Sequence, residues 1–268
     1  MKNTQAIGIF DSGIGGLTVM KQIMQKLPHE KLIYFGDTAR LPYGEKSPET
    51  ILRYSIENAI FLMEHNIKLL VIACNTASAY AVGKLQQIIK IPIIDVIKPG
   101  AHFAANTTNN HRIGVMATRA TTLSGIYPKE IKKHLPHAEV YSIPCPLLVP
   151  LIEEHFFEHT ATQLIVREYL TPLKQKNIDT LLLGCTHYPL LHRLIQNEMG
   201  SHVSIIDSAF TCAEQVSAAL DAYGLHTPNN NNPTHQYFAS DYPEKFRLHG
   251  IQFLGQTIDK VDTPSKMH

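Results

Sequence analysis

Two cysteines at matched places carry the first chemical signal. Cys74 ends the apolar run "LLVIAC" and is followed by Asn75 and Thr76. Cys185 ends "TLLLGC" and is followed by Thr186 and His187. Short apolar runs of this kind read as buried strands, and in open α/β sheets ligands bind at the carboxyl ends of strands. A thiol in that position can serve as a proton-transfer group, or it can be a small buried residue. Asn75, Thr76 and Ser78 are helix-capping types, and Pro189 suits a first helical position. The expectation is that helix dipoles lower the pKa of both thiols toward neutrality. Matched positions and polar followers favour chemistry over packing. Cys145 in "IPCPLL" and Cys212 in "FTCAEQ" lack such settings and read as structural.

Three other stretches have residues of the right types. "FDSGIGGL", Phe10 to Leu17, reads as a strand, a glycine loop and a helix start. Its glycines match neither the dinucleotide fingerprint nor a P-loop. Such loops let backbone N–H groups approach an anion, while Asp11 at the entrance repels phosphate, so a small zwitterion fits better than a nucleotide. "FGDTARLPYGEKS", Phe35 to Ser47, is a polar loop after a strand, where Tyr43 and Gly44 can meet a ligand carboxylate. "HFFEH", His155 to His159, matches a zinc pattern. On a helix His155 and His159 would share one metal, which keeps a zinc hydrolase as a rival. With 15 histidines a chance match is the better reading, and no metal is expected.

The elements that must position these residues alternate. "AIGIF" leads to a helix from about Leu17 to Leu27. "KLIYF" leads to one from about Pro48 to His65, and "LLVIAC" to "NTASAYAVGKLQQIIK", followed by "IPIIDVI". Strand–helix alternation argues for parallel sheets covered by helices. The pattern then repeats in order: Ile7 is echoed by Ile113, Tyr34 by Tyr141, Cys74 by Cys185, and Asp95 by Asp207. The expected fold is an α/β protein of two similar parallel-sheet domains, related by a pseudo-twofold axis with the site in the cleft between them. Residues 1–98 with 210–268 form the expected first domain and 99–209 the second. "HTPNNNNP" reads as a polar loop and "DTPSKMH" as a frayed end.

Composition narrows the function. The chain has 268 residues, 44% hydrophobic and 18% charged, with a net charge of +1. That is an ordinary globular balance, with no field to select nucleic acid or an anionic membrane. No apolar run is long enough to span a bilayer, and the first residues do not read as a signal peptide. Four cysteines without C-x-x-C spacing argue for a reduced, cytoplasmic enzyme.

The stretches "IGIFDSGIGGLTV", "YFGDTARLPYGEKS", "VIACNTASA", "PLLVPLIEE" and "LLLGCTHYPLL" together resemble the glutamate racemases along nearly the whole chain. The resemblance implies interconversion of L- and D-glutamate without cofactor or metal, with the D-isomer supplying peptidoglycan. It implies Cys74 as the base toward D-glutamate and Cys185 as the base toward L-glutamate. Asp11 would stand beside the first thiol and His187 beside the second, with Glu153 as the supporting acid (Glu154 being the neighbouring option). Implied substrate contacts are Asp11, Ser12, Tyr43, Gly44, Asn75, Thr76, Thr186 and His187. Thr118 and Thr121 in "ATRATT" depart from the commoner pattern and are not assigned. Glutamate is the implied small-molecule partner and a homodimer the implied assembly. A racemase for aspartate or another acidic amino acid, and a non-catalytic amino-acid binding module, stay open as alternatives.

Overall fold

The structure, a computed structural model, describes residues 3–228 and 233–264. The centre of the "HTPNNNNP" segment, residues 229–232, lies outside the described residues, as do residues 265–268. The first sheet begins with β1 (Ile7–Asp11), β2 (Leu32–Gly36), β3 (Leu69–Ile72) and β4 (Ile93–Asp95). The second holds β5 (Arg112–Ala117), β6 (Glu139–Pro144), β7 (Thr180–Gly184) and β8 (Ser204–Asp207). A late strand, β9 (Gln236–Ala239), pairs with β2 and makes the first sheet five-stranded in the order β4-β3-β1-β2-β9. The second sheet runs β6-β5-β7-β8, the same order as β2-β1-β3-β4. The strands pair in parallel, with register such as Ile9 opposite Tyr34 and Val71, and Val115 opposite Ser142 and Leu182. Each crossover between neighbouring parallel strands is made by helical segments, as parallel pairing requires.

Strand side chains alternate between two packed faces, so the strands read as continuous apolar runs. Ile7, Ile9, Leu69 and Val71 join one core, whereas Phe10, Ile33, Phe35, Leu70 and Ile72 face a second. The smaller core is closed by α2 (Pro48–Glu64) and α3 (Asn75–Ile88). The larger core is shared by both sheets. It takes in α1 (Leu17–Lys26), α4 (Ile97–Thr107) and α10 (Ser208–Tyr223), together with Val115 and Leu181–Leu183. Helix starts follow local chemistry. Ser47 Oγ accepts from the Thr50 amide at 3.3 Å with Pro48 in the first turn, and Asp207 Oδ1 accepts from Ala209 at 2.8 Å.

The expected fraying from Asp262 onward does not begin there. Asp262 bridges Phe238 in parallel, its amide donating to Tyr237 O at 2.9 Å and its carbonyl accepting from Ala239 at 3.0 Å. Two backbone groups on the open edge of β9 are thus paired by this one residue.

Candidate active site

The strand ends deliver the chemistry. Asp11 and Ser12 lie at the end of β1, Cys74 follows β3, Thr118 follows β5 and Cys185 follows β7. A cavity of about 260 Å³ opens between them. Ser12, Tyr43, Gly44, Cys74, Asn75 and Thr76 line one side, and Thr118, Cys185, Thr186 and His187 the other. Pro42, Pro146, Leu147, Val149 and Pro150 add an apolar rim. Nine of the sequence-derived site residues therefore share one wall-to-wall space. Asp11 and Glu153 stand behind it: Asp11 is fully buried and Glu153 faces a neighbouring cavity with Lys245 and His249.

Cys74 is the N-cap of α3, and its Sγ accepts from the Ala77 amide at 3.4 Å while lying 3.6 Å from Ser12 Oγ. The expected lowering of its pKa is not what the structure gives. Burial, with the Asp11 carboxylate as the next contribution, pushes the Cys74 thiol up to about 12. Desolvating a thiolate outweighs one backbone donor and a helix dipole. The resting Cys74 sulfur carries its proton. Cys185 is not followed by a regular helix. Tyr188–Leu191 forms a 3₁₀ turn, and α9 (His192–Met199) starts only after it.

His187 connects the second thiol to a carboxylate. Its Nδ1 lies 3.8 Å from Cys185 Sγ and its Nε2 2.9 Å from Glu153 Oε1. Burial works against a charge on the ring, but hydrogen bonds to Cys185 and Glu153 prevail and raise its pKa to about 10. Burial also works against the Glu153 charge, yet the bond from His187 holds that carboxyl below its usual range. Of the two neighbouring acids, the one that reaches His187 is Glu153, at the end of α7 (Leu148–Glu153). Glu154 points instead toward Lys245, 3.8 Å away and exposed. Asp11 is raised by burial despite the nearby imidazolium; its Oδ2 accepts from the Gly13 amide at 3.1 Å and its Oδ1 from Thr186 Oγ1 at 3.4 Å.

The glycine loop also does a job that its sequence does not show. The Gly13 amide is spent on Asp11 rather than offered to a ligand. Gly15 lies so close to Thr186 and His187 that a Cβ would overlap both side chains, and a Cβ on Gly44 would stand 2.7 Å from Thr118 Cβ. These glycines let the halves approach across the cleft.

The zinc pattern loses its premise. The chain leaves the helix after Glu153, and His155 takes a left-handed φ of 62°. Its Nδ1 meets Gln252 Oε1 at 2.7 Å, while His159 caps α8 (Thr160–Lys174) through the Ala161 amide at 3.1 Å. The two imidazoles do not share a helix face. Among the described residues, no group of three or more His, Cys, Asp or Glu is placed to hold a metal.

Residues 7–216 match the family model for Asp/Glu/Hydantoin racemase. The chain belongs to this family. A glutamate racemase from Geobacter metallireducens is 50% identical over 257 residues, covering 96% of this chain and 95% of the relative. Among solved structures, a glutamate racemase isoform from Bacillus anthracis superposes with a TM-score of 0.94 at 39% identity, covering 97% of both chains. One from Francisella tularensis, in complex with D-glutamate, superposes with a TM-score of 0.92 at 41% identity, covering 98% of both. The protein is a racemase, hence an isomerase, with two parallel-sheet α/β domains. Among the described residues, no helix is long and apolar enough to cross a membrane.

Sequence reasoning left out part of this racemase site. Thr118 and Thr121 join Thr76 in a triangle of hydroxyls with sides of 2.9, 3.1 and 3.0 Å. A signal for Thr118 was available: the repeat that matches Ile7 to Ile113 also matches Ser12 to Thr118. The Arg119–Glu45 ion pair at the rim, 3.3 Å, and Tyr127 beneath the floor carry no motif.

Proposed function

We infer that this racemase interconverts L- and D-glutamate by two-base proton transfer at Cα. The observation that carries the reading is two cysteines on opposite walls of one small cavity, each just after the corresponding strand of its own repeat, β3 and β7. Cys185 takes the proton from L-glutamate while the Cys74 thiol gives one to the other face; D-glutamate reverses the roles on the form that this step leaves behind, in which Cys185 holds the proton and Cys74 is the thiolate. Two fixed groups avoid swinging a single base around the carbon. The developing negative charge at Cα is met by the His187 imidazolium and the hydroxyls and amides of the wall, in a cleft whose apolar rim excludes water. Ser12, Tyr43, Gly44, Asn75, Thr76 and Thr186 hold the amino acid. Asp11 acts from behind Thr186, and Glu153 keeps His187 charged. The glutamate specificity, rather than aspartate, is supported by relatives named glutamate racemase at 42–50% identity.

The wider assignments belong to the same proposal. D-glutamate would feed peptidoglycan, and the four free cysteines suit a reducing cytoplasm. Residues 1–98 with 210–268 act as the Cys74 side and 99–209 as the Cys185 side. Phe103 and Phe210, both close to half exposed and edge-to-face at 6.4 Å, are an apolar pair that suits a homodimer.

The test is incubation with each enantiomer in heavy water. Optical rotation should be lost and deuterium should enter Cα from either side; absence of both sinks the reading. Cys74→Ser and Cys185→Ser should each lower turnover by about 10²–10⁴-fold. Since the enantiomers have equal free energies, kcat/KM must fall equally in both directions. What residual exchange remains should favour L-glutamate in Cys74→Ser and D-glutamate in Cys185→Ser, and the opposite pattern would reverse the assignment.

A further inference from the structure

One buried side chain touches both halves of the catalytic floor and has no part in the mechanism above. Tyr127 sits in the first turn of α6 (Ile126–His134), which opens on Gly125 at a left-handed φ of 64°. It is 1% exposed. Its ring packs against the strand end that precedes Cys185: a Cβ on Gly184 would stand 2.9 Å from Tyr127 Cε2. Its hydroxyl crosses to the other half and donates to Asn75 Oδ1 at 2.5 Å, beside Cys74. Asn75 lines the cavity, and its Nδ2 is buried without a hydrogen-bond partner.

A buried, unpartnered amide N–H is costly, and native structures keep few of them without a reason. Here the phenol decides which end of the amide is left over. If the Asn75 amide turned over, the phenol's hydrogen bond would lose its acceptor and a carbonyl oxygen would be left for the ligand. That oxygen would repel a carboxylate. With Oδ1 held by Tyr127, the group left for a ligand is a donor, and an anionic ligand oxygen satisfies it. We propose that Tyr127 is a positioning residue, whose hydroxyl fixes the Asn75 amide so that Nδ2 donates to a carboxylate oxygen of the bound amino acid. The proposal rests on the glutamate reading above.

Tyr127→Phe removes the hydroxyl and keeps the ring. It should raise KM for both enantiomers about tenfold while kcat stays within about threefold, the scale of one charge-assisted hydrogen bond. In an Asn75→Ala background the same substitution should change KM less than about twofold, because its route to the substrate is gone. A residue that only supports the floor would show the same effect in both backgrounds, and that result would overturn the proposal. Asn75→Asp gives a test independent of Tyr127: the phenol keeps an acceptor, but a carboxylate oxygen replaces the N–H. Calorimetry with D-glutamate should show affinity reduced at least about tenfold. Unchanged affinity would overturn the proposal even if Tyr127→Phe did not fold. Wild-type protein that neither binds nor racemises glutamate would instead refute the functional reading.

Discussion

Cys74 and Cys185 are matched in the sequence and differ in their surroundings. Cys74 is buried beside Ser12 at a helix N-terminus, with a buried carboxylate nearby, so its resting sulfur is protonated. Cys185 has a histidine 3.8 Å away that is itself locked to Glu153. The cysteines and their polar followers were legible because motif and repeat coincide on them, and Glu153 only through the family resemblance of "PLLVPLIEE". The direction of the Cys74 shift was not, because desolvation depends on packing that no local pattern records. The Glu153–His187 pair gives a signed pH prediction. His187 has a folded pKa of about 10, above its unfolded value, so its share of stability is full below the ordinary histidine range and lost as pH rises through about 10. Glu153 is shifted down, so its share is present above the ordinary carboxylate range and lost on acidification. Glu153→Gln should therefore destabilise most near neutral pH, with the gap to wild type closing above about pH 10. It should also move the alkaline fall of kcat/KM toward neutrality by about one unit, some 1.4 kcal/mol of lost preference for the imidazolium. A pH–rate profile whose alkaline limb stays in place would show that Glu153 does not hold that charge.

At the scale of elements, the loops after β1 and β2 work by proximity. The glycine loop was readable as a turn between strand and helix, but its target was not, because Thr186 and His187 lie in the other half of the chain. Gly15 is the point of contact. Gly15→Ala should push the β1–α1 loop away from His187, costing about 1–3 kcal/mol of stability, as overpacking does, and lowering kcat/KM more than stability alone explains. Gly83 supplies the control. It lies on the exposed face of α3, and a Cβ there would meet nothing within 4 Å. Gly83→Ala should therefore stabilise by about 0.5–1 kcal/mol and leave turnover unchanged. Denaturant midpoints and steady-state rates on both variants check the pair. The loop Phe35–Ser47 illustrates the same distance problem. Its Tyr43 lines the cavity, yet what fixes Tyr43 is Asp37, which its hydroxyl meets within the loop, and Asn58 on α2, whose Nδ2 donates to that hydroxyl at 3.0 Å. Type and spacing reveal most of the residues that line the cavity. They do not reveal the buried partners that hold them.

At the scale of the molecule, the repeat predicts two like sheets, and the identical strand orders follow from it. One core crossing both sheets is what the repeat alone does not contain, since a duplicated unit reads equally well as two separate cores. Far from the cavity, before the starts of β2 and β3, a buried ion pair ties the ends of the first half together. Lys68 is 0% and Glu30 2% exposed, with Nζ 2.5 Å from Oε2. Lys68 also donates to Asn3 O at 2.6 Å, Leu225 O at 2.7 Å and Thr227 Oγ1 at 3.0 Å, and Glu30 accepts from the Thr227 amide at 2.8 Å. The chain's beginning, the approach to β3 and the exit of α10 thus converge on one ammonium. Desolvating two charges is expensive, so the pair by itself is a weak source of stability, but removing one partner strands the other. Lys68→Met should cost about 3–5 kcal/mol in urea unfolding, and adding Glu30→Leu should recover part of the loss, because no buried charge is then left alone. Because the pair sits at the opposite strand ends from the thiols, kcat/KM of the folded fraction should match wild type in both variants. A double variant no more stable than Lys68→Met would mean that the hydrogen bonds to Asn3, Leu225 and Thr227, rather than the stranded carboxylate, set the cost.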